Sequence, residues 1–419
     1  MLPVSEAEAI ISNLVHPLNS EQDTEIVDLL TADGRILAKP AISQLDFPHW
    51  DNSAMDGYAV RYEDVQQANA EKSAVLQIIE EIPAGYQPQA TIQKGQAARI
   101  FTGAVMPNGA DTIVIQENTN RENNQVSILV TPKPQEFVRK RASFYQAGSE
   151  LLPQGIKLNA PEIAVLAAAQ CNQFSVYRKA RVAILSTGDE LAKVNEPLQP
   201  GQIVDSNQYA LATLVRQAGA EALMLGIVKD EPEILKQTIT QALSNADIVI
   251  SSGGVSVGEY DYVEKILDSL GGKIHIRAVK MKPGKPLTVA SFPPTPHSPL
   301  PTPHSKLYFG LPGNPVSALV TFWRFVLPAI KKLSGIKSGW EPTFIKAKTS
   351  YELRSDGKRE SFVWGKLSVV DSVHQFDLAG GTQASGNLIN LAQTNALAVL
   401  PVGTTLITQG NEVEVLKVD

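Results

Sequence analysis

Asp247-Ile248-Val249-Ile250-Ser251-Ser252-Gly253-Gly254-Val255-Ser256-Val257-Gly258-Glu259-Tyr260-Asp261 runs from an apolar stretch through a glycine-rich turn into the start of a helix. A short, nearly continuous apolar run is the pattern of a parallel strand buried on both faces. Two more such runs precede it, at residues 182–186 and 222–228, and helical periodicity fills the gaps at 206–217 and 232–243. Further helices are expected at 260–270 and 316–333. The strand–helix–strand rhythm predicts a doubly wound α/β domain over residues 179–335, with right-handed crossovers.

Outward from this centre the pattern changes. Residues 47–138 carry short apolar runs between turns such as Pro83-Ala84-Gly85 and Pro107-Asn108-Gly109, which predicts a β-rich domain. Residues 336–419 return to strand patterning, with Gly380-Gly381 and Val402-Gly403 as punctuation, and predict a small β-barrel or sandwich. Residues 1–46 and 139–178 remain as an N-terminal helix and a linking region. Ser5 and Glu8 have the spacing of a capping box, opening a helix through about Val15. A second helix is expected from Ala160, with Asn159 as its cap and Pro161 in its first turn. The Pro-rich stretch 291–306 repeats Thr-Pro-His-Ser, but no third metal ligand lies nearby, so a disordered surface loop is expected.

At 419 residues the chain needs two to four domains. Its net charge of -6 argues against nucleic-acid binding, which normally needs a basic face. Cys171 is the only cysteine, which excludes an intrachain disulfide and a zinc thiolate cluster. No leader-like start and no apolar run of about 20 residues is present, so a cytoplasmic protein without a membrane span is expected.

Ligands of open α/β sheets gather beyond the carboxyl ends of the strands. Three loops belong to that edge: Thr187-Gly188-Asp189-Glu190, the turn from Ser252 to Asp261, and Leu311-Pro312-Gly313-Asn314-Pro315-Val316-Ser317. Consecutive glycines let backbone N–H groups converge, and the helix start adds positive potential, so Ser252, Gly253, Gly254, Ser256 and Gly258 suit a phosphate or similar oxyanion. Lys282 and Lys285, separated by Pro-Gly, supply point charges for the same class of ligand. Glu190, Asp230, Glu259 and Asp261 follow strands; they either cap helices, hold ring nitrogens or share a cation such as Mg²⁺ with the ligand. Gly254-Val255-Ser256-Val257-Gly258 also matches a hydrolase nucleophile elbow, but His275, His297, His304 and His374 offer no convincing partner. Neither a Walker A sequence nor a dinucleotide fingerprint is present.

With these loops assembled, the sequence resembles the molybdenum insertases, the family of bacterial MoeA and the E domain of gephyrin. The resemblance runs over nearly the whole chain. Its anchors are residues 51–59, Phe101-Thr102-Gly103-Ala104, Ser186 to Leu191, Ser251 to Asp261, Lys282 to Pro286, Gly310 to Ser317 and Gln383-Ala384-Ser385. It implies four domains, an elongated homodimer with active sites near the subunit boundary, and insertion of molybdate into adenylylated molybdopterin with Mg²⁺, releasing AMP. A molybdopterin adenylyltransferase is the implied partner. The family's functional positions carry over to Asp56, Thr102, Glu190, Asp230, Asp261, Lys282 and Ser385, with Lys282 and Ser317 implied for molybdate and Glu190 and Asp261 for the metal. Three positions depart. Ala142-Ser143-Phe144 replaces a glycine and acidic pattern, Trp364 stands where an arginine precedes a glycine, and the basic residue upstream is either Arg277 or Lys280. If Phe144 and Trp364 share one charge arrangement, Trp364→Arg should improve molybdate affinity. The departures leave a second reading open, a molybdopterin-binding or scaffolding homologue with weak insertion. Molybdate and tungstate are not distinguished by sequence.

Overall fold

The computed structural model describes residues 1–253, 260–294, 305–380, 384 and 386–418, with only the backbone at 260 and 261. It forms two compact units, one of residues 1–39, 154–159 and 174–419, the other of residues 40–153 and 160–173.

The first unit contains the predicted α/β domain. Its six-stranded sheet runs in the order Glu221–Val228, Arg181–Thr187, Ile248–Ser252, Lys306–Leu311, Pro286–Phe292, Lys273–Ala278. The first four strands are parallel; the last two are antiparallel, which the apolar patterning did not announce. Alternate side chains feed opposite cores. Val182, Ile184, Ile248 and Ile250 pack with Leu211 and Val215 of helix Asn207–Gln217. Ala183, Leu185 and Val249 pack with Ile239 of Pro232–Asn245 and Leu267 of Tyr260–Ser269. Both sheet faces are therefore covered, as near-continuous apolar strands require.

Two local expectations are corrected. The first helix, Val4–Leu14, is preceded by Pro3 as its N-cap with no side-chain cap bond, so Ser5 and Glu8 lie inside it and form no capping box. Glu8 instead accepts a 2.6 Å bond from the buried guanidinium of Arg324, a stronger charge-assisted partner than a backbone N–H. The helix expected at 316–333 is broken into Pro315–Thr321, a π-helical turn Phe322–Val326, and Leu327–Leu333. Pro328 has no N–H for the Arg324 carbonyl and its ring crowds that turn, which accounts for the local widening.

The C-terminal strands Phe344–Thr349, Glu360–Val370, Val373–Leu378, Ala396–Leu400 and Glu412–Lys417 close into a five-stranded barrel. Closure follows because Ala396–Leu400 pairs with both Glu360–Val370 and Glu412–Lys417. Ala347, Val363, Phe376, Ala398 and Val415 fill its interior. Met281–Lys282 adds in parallel beside the barrel, pairing with Glu360 and Ser361.

The second unit is the predicted β-rich region. Its sheet order is Thr112–Ile115, Gly57–Val60, Gln96–Ile100, Ala74–Ile82, Gln125–Ile128, Thr119–Glu122. Gly57 permits the close approach of the first pair, since a Cβ there would lie 2.1 Å from the Val114 carbonyl oxygen. Helix Ala160–Ala168 begins where expected. The Thr-Pro-His-Ser repeats lie outside the described residues. Among those described, no helix is long and apolar enough to cross a membrane.

Candidate functional site

At the carboxyl edge of the α/β sheet, the ends of Arg181–Thr187, Ile248–Ser252 and Lys306–Leu311 open onto a cavity of about 520 Å³. Gly253 turns the chain there with φ +98°, in contact with the Thr187 backbone. Ser252 Oγ accepts a 2.7 Å bond from Asn207 Nδ2, which also donates to the Gly313 carbonyl at 2.7 Å. These bonds tie two strand-end loops to the start of helix Asn207–Gln217. Asp205 is buried, and its carboxylate accepts bonds from the backbone and side-chain nitrogens of Gln208. Ser186 Oγ, Thr187 Oγ1 and Asn207 Oδ1 are buried without partners among the described residues, and all three residues line this cavity. An unmet buried polar group costs about 1–3 kcal/mol, so three together beside a helix N-terminus mark a place completed by a polar ligand.

A second cavity, of about 580 Å³, shares Pro286 and Ser317 with the first. Lys282, Lys285, Arg354 and Arg359 give it four cations. The Lys282–Pro283 bond is cis, and Gly284 at φ +99° is obligatory because a Cβ would sit 2.5 Å from Thr321 Oγ1. The barrel supplies the arginines. The sequence reading missed Arg354, Ser361 and nearby Asp356, and touched Arg359 only as a match to a neighbouring arginine of the family; the pairing of Met281–Lys282 with Glu360 and Ser361 brings them here. Asp356 pairs with Lys282 at 3.6 Å and Arg359 at 3.5 Å.

The predicted residues divide by location. Glu190, Ser252, Gly253 and Ser317 line the first cavity, and Lys282, Lys285 and Ser317 the second. Ser252 is committed to Asn207, so its hydroxyl braces the loop more than it faces the ligand. Asp230 is exposed after Glu221–Val228 and is not among the residues lining either cavity. Gly254, Ser256, Gly258, Ser385 and the Asp261 side chain lie outside the described residues. Asp56 and Thr102 belong to the second unit, where the structure brings them together: Asp56 Oδ1 accepts the Thr102 N–H and hydroxyl, each at 2.7 Å. The backbone bond from Thr102, then its hydroxyl and the charge of Arg99, hold the Asp56 carboxyl below its usual range.

No histidine among the described residues lines either cavity, and His275 is paired with Ser291 across neighbouring strands at 2.8 Å; Ser256, His297 and His304 lie outside the described residues. No group of three His, Cys, Asp or Glu is placed to hold a metal among the described residues. Glu190 alone offers an exposed carboxylate to the first cavity, a donor set that fits an Mg²⁺ held mostly by ligand phosphates and water. Trp364 lines the second cavity together with Lys282 and Lys285. It is 2% exposed and packs with Phe362, Leu397 and Val399, so an arginine there would stand at the wall of the cavity and would need a counter-charge. Phe144 lies in the other unit, 62% exposed against Phe47.

A doubly wound sheet whose carboxyl edge holds a polar cavity, continuous with a cationic one shared with a barrel, defines an α/β protein built for anionic ligands. Comparison with known proteins narrows this class. Residues 2–169 match the family described as "MoeA N-terminal region (domain I and II)", 183–332 the "Probable molybdopterin binding domain", and 346–418 the "MoeA C-terminal region (domain IV)". The chain is 64% identical over 417 residues to a molybdopterin molybdenumtransferase of Nostoc, covering 100% of this chain and 94% of that one. It is 33% identical to the corresponding Haemophilus influenzae protein over 99% and 98% of the two chains. The solved molybdopterin biosynthesis moeA protein of Pyrococcus horikoshii superposes with a TM-score of 0.82 at 27% identity, covering 100% of both chains. The chain belongs to the molybdopterin molybdenumtransferase (MoeA) family.

Proposed function

We infer that this chain is a transferase of molybdenum cofactor biosynthesis, inserting molybdate into adenylylated molybdopterin and releasing AMP and the finished cofactor. The observation that carries the reading is the junction at Ser317 and Pro286 between a hydrogen-bonding cavity that carries the carboxylates of Glu190 and Asp205 and a cationic one. The first suits the phosphates and polar ring of a pterin: the strand-end loops bind, and the unpaired hydroxyls of Ser186 and Thr187 orient. The second suits a tetrahedral dianion, with Lys282 and Lys285 as point charges and Ser317 between the two ligands. Bound Mg²⁺ would neutralise phosphate charge, and Glu190 with Asp261 would hold it. Asp56, Thr102, Asp230 and Ser385 remain proposed site residues. So do the domain limits of 1–46 with 139–178, 47–138, 179–335 and 336–419.

An elongated homodimer is proposed, with each active site near the subunit boundary. A molybdopterin adenylyltransferase would supply the substrate, in the cytoplasm. The test is purified chain with adenylylated molybdopterin, Mg²⁺ and molybdate, followed by AMP release and cofactor formation. Binding of the pterin without either product would leave a scaffolding homologue and end the insertase reading.

A further inference from the structure

The wall of the cationic cavity holds Glu352 paired with Arg354, and a second carboxylate stands beside Lys282 and Arg359. Asp356 sits in a turn fixed from both sides: Gly357, at φ +66°, accepts a 2.8 Å bond from the Gly403 N–H, and the Ser355 N–H donates to Thr405 at 3.0 Å. Within that turn Asp356 Oδ1 accepts the Lys358 N–H at 2.9 Å, which leaves Oδ2 turned to Lys282 and Arg359. The bond from Lys358, with the charges of Lys282 and Arg359, holds the carboxyl below its usual range, so it is anionic at neutral pH. Yet both ion pairs are long, 3.6 and 3.5 Å, where a tight charge-assisted bond measures about 2.7–2.9 Å. The turn stops the carboxylate from closing on either cation.

We propose that Asp356 is an intramolecular counter-anion that weakens the cavity's hold on its oxyanion and so sets affinity and release. The proposal rests on the reading of this cavity as the molybdate subsite. One oxygen of Asp356 occupies the side of Lys282 and Arg359 that a tetrahedral oxyanion would use, loosely enough to be displaced. Lys285, which has no carboxylate within ion-pair distance among the described residues, is left as the free cation that first attracts the ligand. A bound dianion then shares Lys282 with Asp356 and is repelled by it. In a water-like dielectric, two ligand charges a few ångströms from one carboxylate lose about tenfold in affinity.

The experiment is direct molybdate binding by calorimetry on the full chain, at several salt concentrations, for wild type, Asp356→Asn, Asp356→Glu and Lys282→Gln. Asparagine keeps the oxygen that accepts the Lys358 N–H and removes only the charge. Thermal unfolding checks that each variant is folded. Asp356→Asn should bind molybdate about tenfold more tightly, release it more slowly, and show a steeper loss with salt, whereas Asp356→Glu should stay near wild type. Unchanged or weaker binding by a folded Asp356→Asn would overturn the proposal, as would equal tightening by Asp356→Glu. Lys282→Gln separates the two levels: if it binds molybdate as wild type does, the subsite reading itself fails; if it loses binding while Asp356→Asn gains nothing, only the role of Asp356 fails.

Discussion

Gly253→Ala is the sharpest perturbation of the pterin cavity. Gly253 lies at φ +98°, and an added Cβ would stand 2.1 Å from the Thr187 carbonyl oxygen and 3.2 Å from its carbon. The obstacle is backbone at the end of a buried strand, so it cannot rotate away as a side chain would. The left-handed conformation costs a non-glycine residue about 1–3 kcal/mol. Forcing apart two packed strand ends adds about 1–3 kcal/mol, for a total of roughly 2–6 kcal/mol. The same displacement moves Ser186 and Thr187 away from Ser252 and Asn207, whose 2.7 Å bond braces the cavity. Gly313→Ala is the matched control, because its Cβ would meet only Gly253 Cα at 3.5 Å, an ordinary contact. Denaturant unfolding and equilibrium binding of molybdopterin should both separate the two variants, with Gly253→Ala less stable by that amount and at least tenfold weaker in binding. Equal behaviour of the two would refute the assignment of this turn to the pterin site.

Four further outcomes follow from the same coordinates. Tyr308 is buried and its phenol is pushed up to about 12 by desolvation, against the bond to Ser251; its neutral form therefore stabilises the fold fully below pH 10.0, and that contribution is lost as pH rises through about 12, which ultraviolet titration against unfolding should show. Thr102→Val removes one of the two bonds that depress the Asp56 carboxyl, so the Asp56 pKa should rise in an NMR titration; in the wild type the stabilisation is present above the unfolded carboxylate pKa and lost as pH falls through the lowered folded value. Trp364→Arg should destabilise by at least about 3 kcal/mol in thermal or denaturant unfolding and leave molybdate affinity no better. Replacing residues 293–305 by Asn-Gly should leave insertion activity near wild type, because Phe292 and Lys306 are already paired across antiparallel strands and a two-residue turn can close them.

The parts of the site legible in the sequence were those encoded by neighbours in the chain. An apolar run followed by Ser252-Gly253 announces a strand and its turn, and Thr187-Gly188-Asp189-Glu190 does the same one strand earlier. What failed to show was pairing at a distance. Nothing in Lys273–Ala278 or Pro286–Phe292 distinguishes an antiparallel edge from a parallel interior, because burial alone selects the apolar residues. Arg354 and Asp356 are ordinary surface charges in sequence and acquire meaning only from the Met281–Lys282 ladder. The capping box at Ser5 and Glu8 was a local signal overruled by a tertiary one, since Glu8 is needed by Arg324, which lies more than three hundred residues away in the chain. Pro328 did carry the signal for the helix break, and periodicity alone obscured it.

The cationic cavity has Trp364 both in its wall and in the core that holds it together. Its cations come from two domains, Lys282 and Lys285 on the segment leading into the α/β sheet and Arg354 and Arg359 on the barrel. Their separation is therefore fixed by whatever keeps barrel and sheet in register. The direct ladder is short: Met281 and Lys282 pair with Glu360 and Ser361, and the Glu360 N–H donates to Lys280 at 3.1 Å. Most of the contact is apolar, with Phe362, Trp364, Leu397 and Val399 of the barrel in one core with Phe309, Val316 and Phe322 of the α/β domain. A tryptophan buries on the order of 200 Å² there, whereas an arginine would carry a charge that must be paired. Four cations line the cavity, and two carboxylates offset part of their charge, Glu352 beside Arg354 and Asp356 beside Lys282 and Arg359. The indole at position 364 thus fixes the distance between the two pairs of cations on which the proposed oxyanion binding depends.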